Sequence, residues 1–179
     1  MVLYFLRHGQ SEANAAGQLG GRLDAPLTEQ GVAQAEAAVE SVKQLNPDII
    51  YCSPLKRARK TAEIVAGKAG FSDRLYVDDR LIERGVGVLE GQDDKGGKLL
   101  VSTTPDDVEG AESIADMRAR TQDFLDEVNT KHPDDVVLVV GHGAHIKMMI
   151  ALTTDRTWED VRGHKLPNGV PFQDMKDVI

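Results

Sequence analysis

Val136-Val137-Leu138-Val139-Val140-Gly141-His142-Gly143 sets an unbroken apolar pentapeptide directly before a histidine bracketed by glycines. A run of that length, bounded by turn residues, reads as a strand buried on both faces. Two other stretches have the same form. Val2 to Leu6 stops at Arg7-His8-Gly9, and Ile49-Ile50-Tyr51-Cys52 stops at Ser53-Pro54. A shorter strand is expected at Leu75-Tyr76-Val77.

Helical patterns separate these strands. Val32, Ala35, Val39 and Val42 recur at three- and four-residue spacing, with Thr28 as N-cap and Asn46-Pro47-Asp48 as the break. Ser53 as N-cap, with Pro54 at the first helical position, opens the next helix. Its apolar stripe is Leu55, Ala58, Ala62 and Val65. Ile114, Met117, Thr121, Leu125 and Val128 mark a further helix ended by His132-Pro133, and another runs from His142 to about Leu152. Such alternation predicts an α/β fold, a mostly parallel central sheet with helices on both faces. Pro167 and Pro171 put any strand in the tail after Trp158 on the sheet edge. Neither a repeat nor a linker is visible, so residues 1–179 read as one domain. The glycine- and aspartate-rich stretch at about 85–111 reads as a small lid-like excursion from it.

Composition narrows the function classes. The 179 residues are 41% hydrophobic and 28% charged, which is ordinary for a globular chain. The longest apolar runs fall far short of the ~18 residues of a membrane span. The first six residues lack the basic leader of a signal peptide. One cysteine excludes an intramolecular disulfide and fits a reducing compartment, so a cytoplasmic location is expected. A net charge of −8 argues against nucleic acid or an anionic membrane as partner. Oligomeric state is not legible.

Bulk charge leaves room for a local cationic pocket. Ligands of open α/β sheets bind beyond the carboxyl ends of the strands. Three strands here end in functional side chains: Arg7 and His8, then Ser53 with Arg57 beyond it, then His142. If these strands are parallel neighbours, two histidines and two arginines surround space for a tetrahedral dianion. Guanidinium groups grip phosphate oxygens bidentately, and an imidazole attacks phosphorus through a free ring nitrogen when the other is held as N–H. Gly9 and Gly143, beside the histidines, would let backbone approach a phosphate closely.

Leu6-Arg7-His8-Gly9-Gln10-Ser11-Glu12-Ala13-Asn14 resembles the signature of the histidine phosphatase superfamily, the phosphoglycerate-mutase-like enzymes. Ser53 to Ala58 resembles its second motif, Glu83 to Gly87 its acid motif, and Val140-Gly141-His142-Gly143 its last. The resemblance implies the family's three-layer sandwich and a phosphomonoesterase acting through a phosphohistidine on His8. It implies that Arg7, Arg57 and His142 hold the phosphoryl oxygens, with Gly143 beside them and Asn14 as an auxiliary contact. Glu83 is implied as general acid and base. Arg22 lies in Gly20 to Thr28, which resembles the loop after the first motif in the phosphatase branches, and is expected to contact substrate. No metal and no dissociable cofactor are implied. The implied partner is a small phosphorylated metabolite or a phosphoprotein.

Other readings remain open. Glu90 is a second carboxylate near Glu83, Asn14 could cap a turn, and Arg22 could contact only its own loop. His145 has no assignable role. Arg84-Gly85-Val86-Gly87 stands where mutases of the family carry Arg-His-Tyr-Gly, and only Lys95 and Lys98 supply further cations between Arg84 and Glu112. Both features favour hydrolysis over a phosphoglycerate-mutase-type phosphotransferase, while a non-catalytic phosphate-binding module is the third alternative. Cys52 precedes Arg57 by five residues and Arg59 by seven, so no Cys-x5-Arg phosphatase loop exists.

Overall fold

The computed structural model of the protein describes residues 1–94 and 107–177. Five strands form one sheet: β1 (Val2–Arg7), β2 (Ile49–Cys52), β3 (Leu75–Val77), β4 (Val136–Gly141) and β5 (Pro171–Phe172). Their order is β3-β2-β4-β1-β5. The first four are mutually parallel, and β5 adds antiparallel to β1 at the edge, where the two prolines predict it. The fold is therefore the α/β class expected from the alternation.

The continuous apolar runs have a direct cause. Side chains alternate across a strand, so a strand covered on both faces needs apolar residues at every position. Phe5, Val137 and Val139 enter one core cluster with Phe124, Ile146 and Ile150. Their neighbours Leu6, Leu138 and Val140 enter the other with Ala62 and Val65. Helices α2 (Glu29–Ala37), α3 (Val39–Leu45) and α4 (Lys56–Ala69) cover the second face, following the short α1 (Glu12–Ala15). Helices α5 (Ile114–Lys131), α6 (Gly143–Thr153) and α7 (Trp158–Arg162) cover the first. Among the described residues, no helix is long and apolar enough to cross a membrane.

Two local expectations change. The periodic stretch after Thr28 forms two helical segments meeting at Ala38, whose side chain is buried with Ala35 and Val42 while Val32 and Val39 sit at the flank. Helix α4 begins at Lys56 rather than at Pro54, and its N-cap residue, Leu55, makes no side-chain cap. Asp24 supplies the cap from another loop, its Oδ1 accepting from Lys56 N–H at 2.7 Å. Ser53 is thereby not the N-cap, though its Oγ accepts from Leu55 N–H at 3.3 Å. The excursion expected at about 85–111 is closed at its base by a bridge between Val86 and Ala111. Its span 95–106, with Lys95 and Lys98, lies outside the described residues.

The loop after β1 packs backbone to backbone on the first turn of α2. A Cβ on Gly9 would lie 2.2 Å from Gly31 O, and one on Gly31 would lie 2.1 Å from Gln10 O. Gly9 is thus required by chain packing. Alanine in a helix is ordinarily favoured over glycine by ~1 kcal/mol. Gly31→Ala should instead destabilise the fold by about 1–3 kcal/mol, because the clash is with backbone that must shift. Urea unfolding measures this, and a stabilised variant would refute the packing argument.

Candidate active site

Parallel register delivers the site. Arg7 pairs with Gly141 and Cys52 with Val140, so the chain leaves all three inner strands at one level. His8 N–H donates to Gly141 O at 3.0 Å and Ser53 N–H to Val140 O at 3.1 Å. The rings of His8 and His142 consequently stand 5.1 Å apart.

His8 is buried, and each of its ring nitrogens has one partner. Nδ1 lies 2.6 Å from the carbonyl oxygen of Gly9. A carbonyl only accepts, so Nδ1 carries the proton. Nε2 then accepts from Arg57 Nε–H at 3.2 Å. Burial, and after it the charges of Arg7 and Arg57, hold the His8 imidazole well below its ordinary pKa. The ring is a neutral base with its lone pair on Nε2.

Arg57 projects from the first turn of α4, where Nη1 donates to Leu23 O at 2.6 Å and Nη2 to Gly21 O at 2.8 Å. Arg7 donates through Nη1 to Leu166 O at 2.7 Å, while its buried Nε has no partner among the described residues. Burial lowers both arginine pKa values and Glu83 opposes it. Guanidinium groups nevertheless stay charged. His142, fully buried, faces Ser53 Oγ through Nε2 at 2.7 Å, and its Nδ1 has no partner among the described residues.

A cavity of about 600 Å³ opens onto this cluster, with Arg7, His8, Asn14, Arg57, Glu83 and Gly143 in its wall. His142 does not line it and stands one layer deeper, against the His8 ring. Glu83 is held by backbone: its oxygens accept from Arg84 N–H at 2.8 Å and from Ala144 and His145 N–H at 3.1 Å each, the latter two in the first turn of α6. Gly143 lies beside both groups, since a Cβ built on it would be 3.9 Å from Arg7 Nε and from Glu83 Oε2.

The open alternatives resolve by position. Glu90 does not line the cavity, and its Oε1 accepts from the backbone N–H groups of Arg22 and Val86. Asn14 has both roles, since it lines the cavity and its Oδ1 accepts from Ser11 N–H at 3.3 Å in a capping box. Arg22 is placed otherwise than expected. It pairs with Glu112 at 3.1 Å and donates to Glu83 O at 3.3 Å, behind the wall rather than in it. Its own loop is anchored on Glu90, which aims the side chain at the acid segment's backbone. Cys52 is buried in β2, and burial pushes its thiol up to about 12, which makes it inert.

The segment after α7 also belongs to the site. Leu166 O holds Arg7, Asn168 Nδ2 donates to His8 O at 2.6 Å, and Gly169 N–H donates to Arg7 O at 2.9 Å. Lys147 and Trp158 also line the cavity. Sequence reasoning misses these residues, because Asn168 acts on a main-chain atom 160 positions away and leaves no local pattern.

The chain matches the family model of the histidine phosphatase superfamily (branch 1) over residues 3–170. It belongs to that superfamily. A putative phosphoserine phosphatase 2 of Hydrogenobacter thermophilus is 34% identical over 161 residues, covering 85% of this chain and 78% of the relative. A 2,3-bisphosphoglycerate-dependent phosphoglycerate mutase of Corynebacterium kroppenstedtii is 29% identical over 210 residues, covering 95% and 84%. A solved mycobacterial glucosyl-3-phosphoglycerate phosphatase superposes with a TM-score of 0.80 at 29% identity, covering 94% of this chain and 90% of that one. This histidine phosphatase superfamily chain thus has both hydrolases and mutases among its relatives.

Burial also sets a pH response. His8, His142 and His145 are all held well below their ordinary pKa, burial being the largest cause at each. Below about pH 6.5 the unfolded chain binds protons at these positions that the folded chain refuses, so stability falls as pH drops. Each contributes a slope of up to ~1.4 kcal/mol per pH unit. The His145→Leu variant should flatten that acid limb by about one proton. NMR titration should find the His8 ring neutral, protonated on Nδ1, from pH 8 to 6. Ring protonation with a midpoint near 6.5 would contradict this geometry.

Proposed function

We propose that the protein is a phosphomonoesterase that hydrolyses small phosphorylated metabolites through a phosphohistidine on His8, with no metal or dissociable cofactor. The observation that carries this reading is the state of His8: a neutral imidazole, Nδ1–H fixed on the Gly9 carbonyl, with its Nε2 lone pair on Arg57 Nε–H in the wall of an arginine-lined cavity. Family membership and the phosphatases among the relatives support it. A cavity of about 600 Å³ suits a small ligand.

In the first step Nε2 attacks phosphorus and the ester P–O bond breaks. Glu83 donates a proton to the departing alcohol oxygen. In the second, water attacks the phosphohistidine, Glu83 takes its proton, and the P–N bond breaks to release phosphate. Arg7 Nε–H and Arg57 stabilise the charge on the phosphoryl oxygens. With the Ser53 hydroxyl donating to His142 Nε2, His142 Nδ1–H is the further donor, reached as the phosphoryl group settles on His8.

Hydrolysis measured with chelator present tests the reading. His8→Ala should have no turnover, and Glu83→Gln should lose ~10²–10⁴ in kcat, the range for acid–base assistance. Full activity in His8→Ala would sink the mechanism. A persistent phosphoenzyme with no phosphate release would favour the phosphotransferase reading.

A further inference from the structure

The segment that carries Glu83 has little secondary structure to hold it. After one short turn at Asp79–Leu81, residues 82–85 belong to neither a helix nor a strand. Main-chain groups outside a ladder need other partners, and a carboxylate on such a chain stands in one place only if they are supplied. A single carboxylate organises that supply. Glu112, just ahead of α5, accepts from Arg120 Nε–H at 2.7 Å and Nη2–H at 2.9 Å, and it lies 3.1 Å from Arg22 Nη2. Each arginine spends a further donor on the acid segment: Arg22 Nε–H on Glu83 O at 3.3 Å, and Arg120 Nη1–H on Arg80 O. Two main-chain carbonyls of one segment are thus gripped by two guanidinium groups, both aimed by one carboxylate.

The contact is close along the whole stretch. Glu112 N–H donates to Gly85 O at 2.9 Å, and Glu112 O accepts from Arg84 Nε–H at 2.9 Å. A Cβ built on Gly85 would be 3.4 Å from Arg22 Nε, so the guanidinium lies against the acid segment's main chain. On either side of Arg22, Gly21 O and Leu23 O accept from Arg57, which ties the acid to the phosphoryl clamp through one tripeptide. Stability does not account for Arg22. Its side chain is 43% exposed, and ion pairs so open to water contribute little to folding.

We propose that Arg22, held on Glu112, is a positioning residue for proton transfer: with Arg120 it fixes the 80–83 main chain so that the Glu83 carboxylate stands at the leaving oxygen. This role rests on the phosphomonoesterase reading, in which Glu83 hands a proton to the departing alcohol. Arg22 grips the main chain of the acid, while Ala144 and His145 N–H grip its carboxylate, so the side chain is held at both ends. Arg22 acts on the reaction without touching substrate.

Two esters separate positioning of the acid from general loosening. p-Nitrophenolate departs without a proton, whereas the alkoxide of glycerol 3-phosphate needs one from Glu83. Rapid-quench measurement of phosphoenzyme formation reads the first step alone. Arg22→Met should slow that step by roughly 10–100-fold with glycerol 3-phosphate, the cost of a slightly misplaced catalytic group, and leave it nearly unchanged with p-nitrophenyl phosphate. Arg22→Lys, which keeps the charge opposite Glu112, should recover part of the loss. In a Glu83→Gln background Arg22→Met should add nothing, because its effect runs through that carboxylate. Equal slowing with both esters, or a further loss on top of Glu83→Gln, would mean a merely structural role, and no slowing with either would mean no role; each overturns the proposal.

Amide hydrogen exchange reads the same positioning without turnover. The Glu83 carboxylate holds Ala144 and His145 N–H, so both should exchange faster in Arg22→Met while the amides of β4 keep the wild-type rate. That result upholds the positioning of Glu83 even if the wild type forms no phosphoenzyme from either ester, in which case the phosphomonoesterase reading is what fails. Unchanged exchange at Ala144 and His145 overturns the proposal even if both esters are hydrolysed.

Discussion

The pairing of Arg7 with Gly141 across two parallel strands governs every other feature of the site. It brings the chain out of β1 and β4 at one level, so that His8 and His142 turn towards each other, and Ser53 leaves β2 beside them. A slip of one residue would exchange the two faces of the strand, sending Phe5 and Leu6 into the wrong cores. Catalytic geometry and core packing therefore rest on the same register. The four buried side chains of β4, each worth ~1.5–3 kcal/mol, hold it.

What that register assembles is a buried excess of positive and donor groups. Two guanidinium groups stand beside two neutral imidazoles, and Arg7 Nε and His142 Nδ1 have no partner among the described residues. Gathering such groups away from water is unfavourable until an anion joins them. The site is thus suited to an anion. Burial first, and then the charges of Arg7 and Arg57, keep the His8 ring unprotonated.

Strand-end chemistry was legible in the sequence because Arg7, His8 and His142 stand at the ends of apolar runs. Arg7, His8 and His142 announce themselves by place, and the sheet brings them together as that reading requires. Ser53 was harder. Ser-Pro is a general helix-start signal, and only the fold reveals that Asp24 caps the helix while Ser53 faces a histidine 89 positions away. Arg22 was drawn towards substrate by its neighbours in sequence, but Glu112 and a main-chain carbonyl hold it outside the cavity. The tail after Trp158 was opaque for a different reason. Leu166 and Gly169 act through main-chain atoms, which carry no residue signature.

A crystal structure with orthovanadate, a mimic of the phosphoryl group in flight, tests the central claim most directly. The account predicts vanadium bonded to His8 Nε2, with Arg7 Nε, Arg57 and His142 Nδ1 on its oxygens and Glu83 on the opposite, leaving-group side. Vanadium on another residue, or oxygens that leave Arg7 Nε and His142 Nδ1 unpartnered, would contradict it.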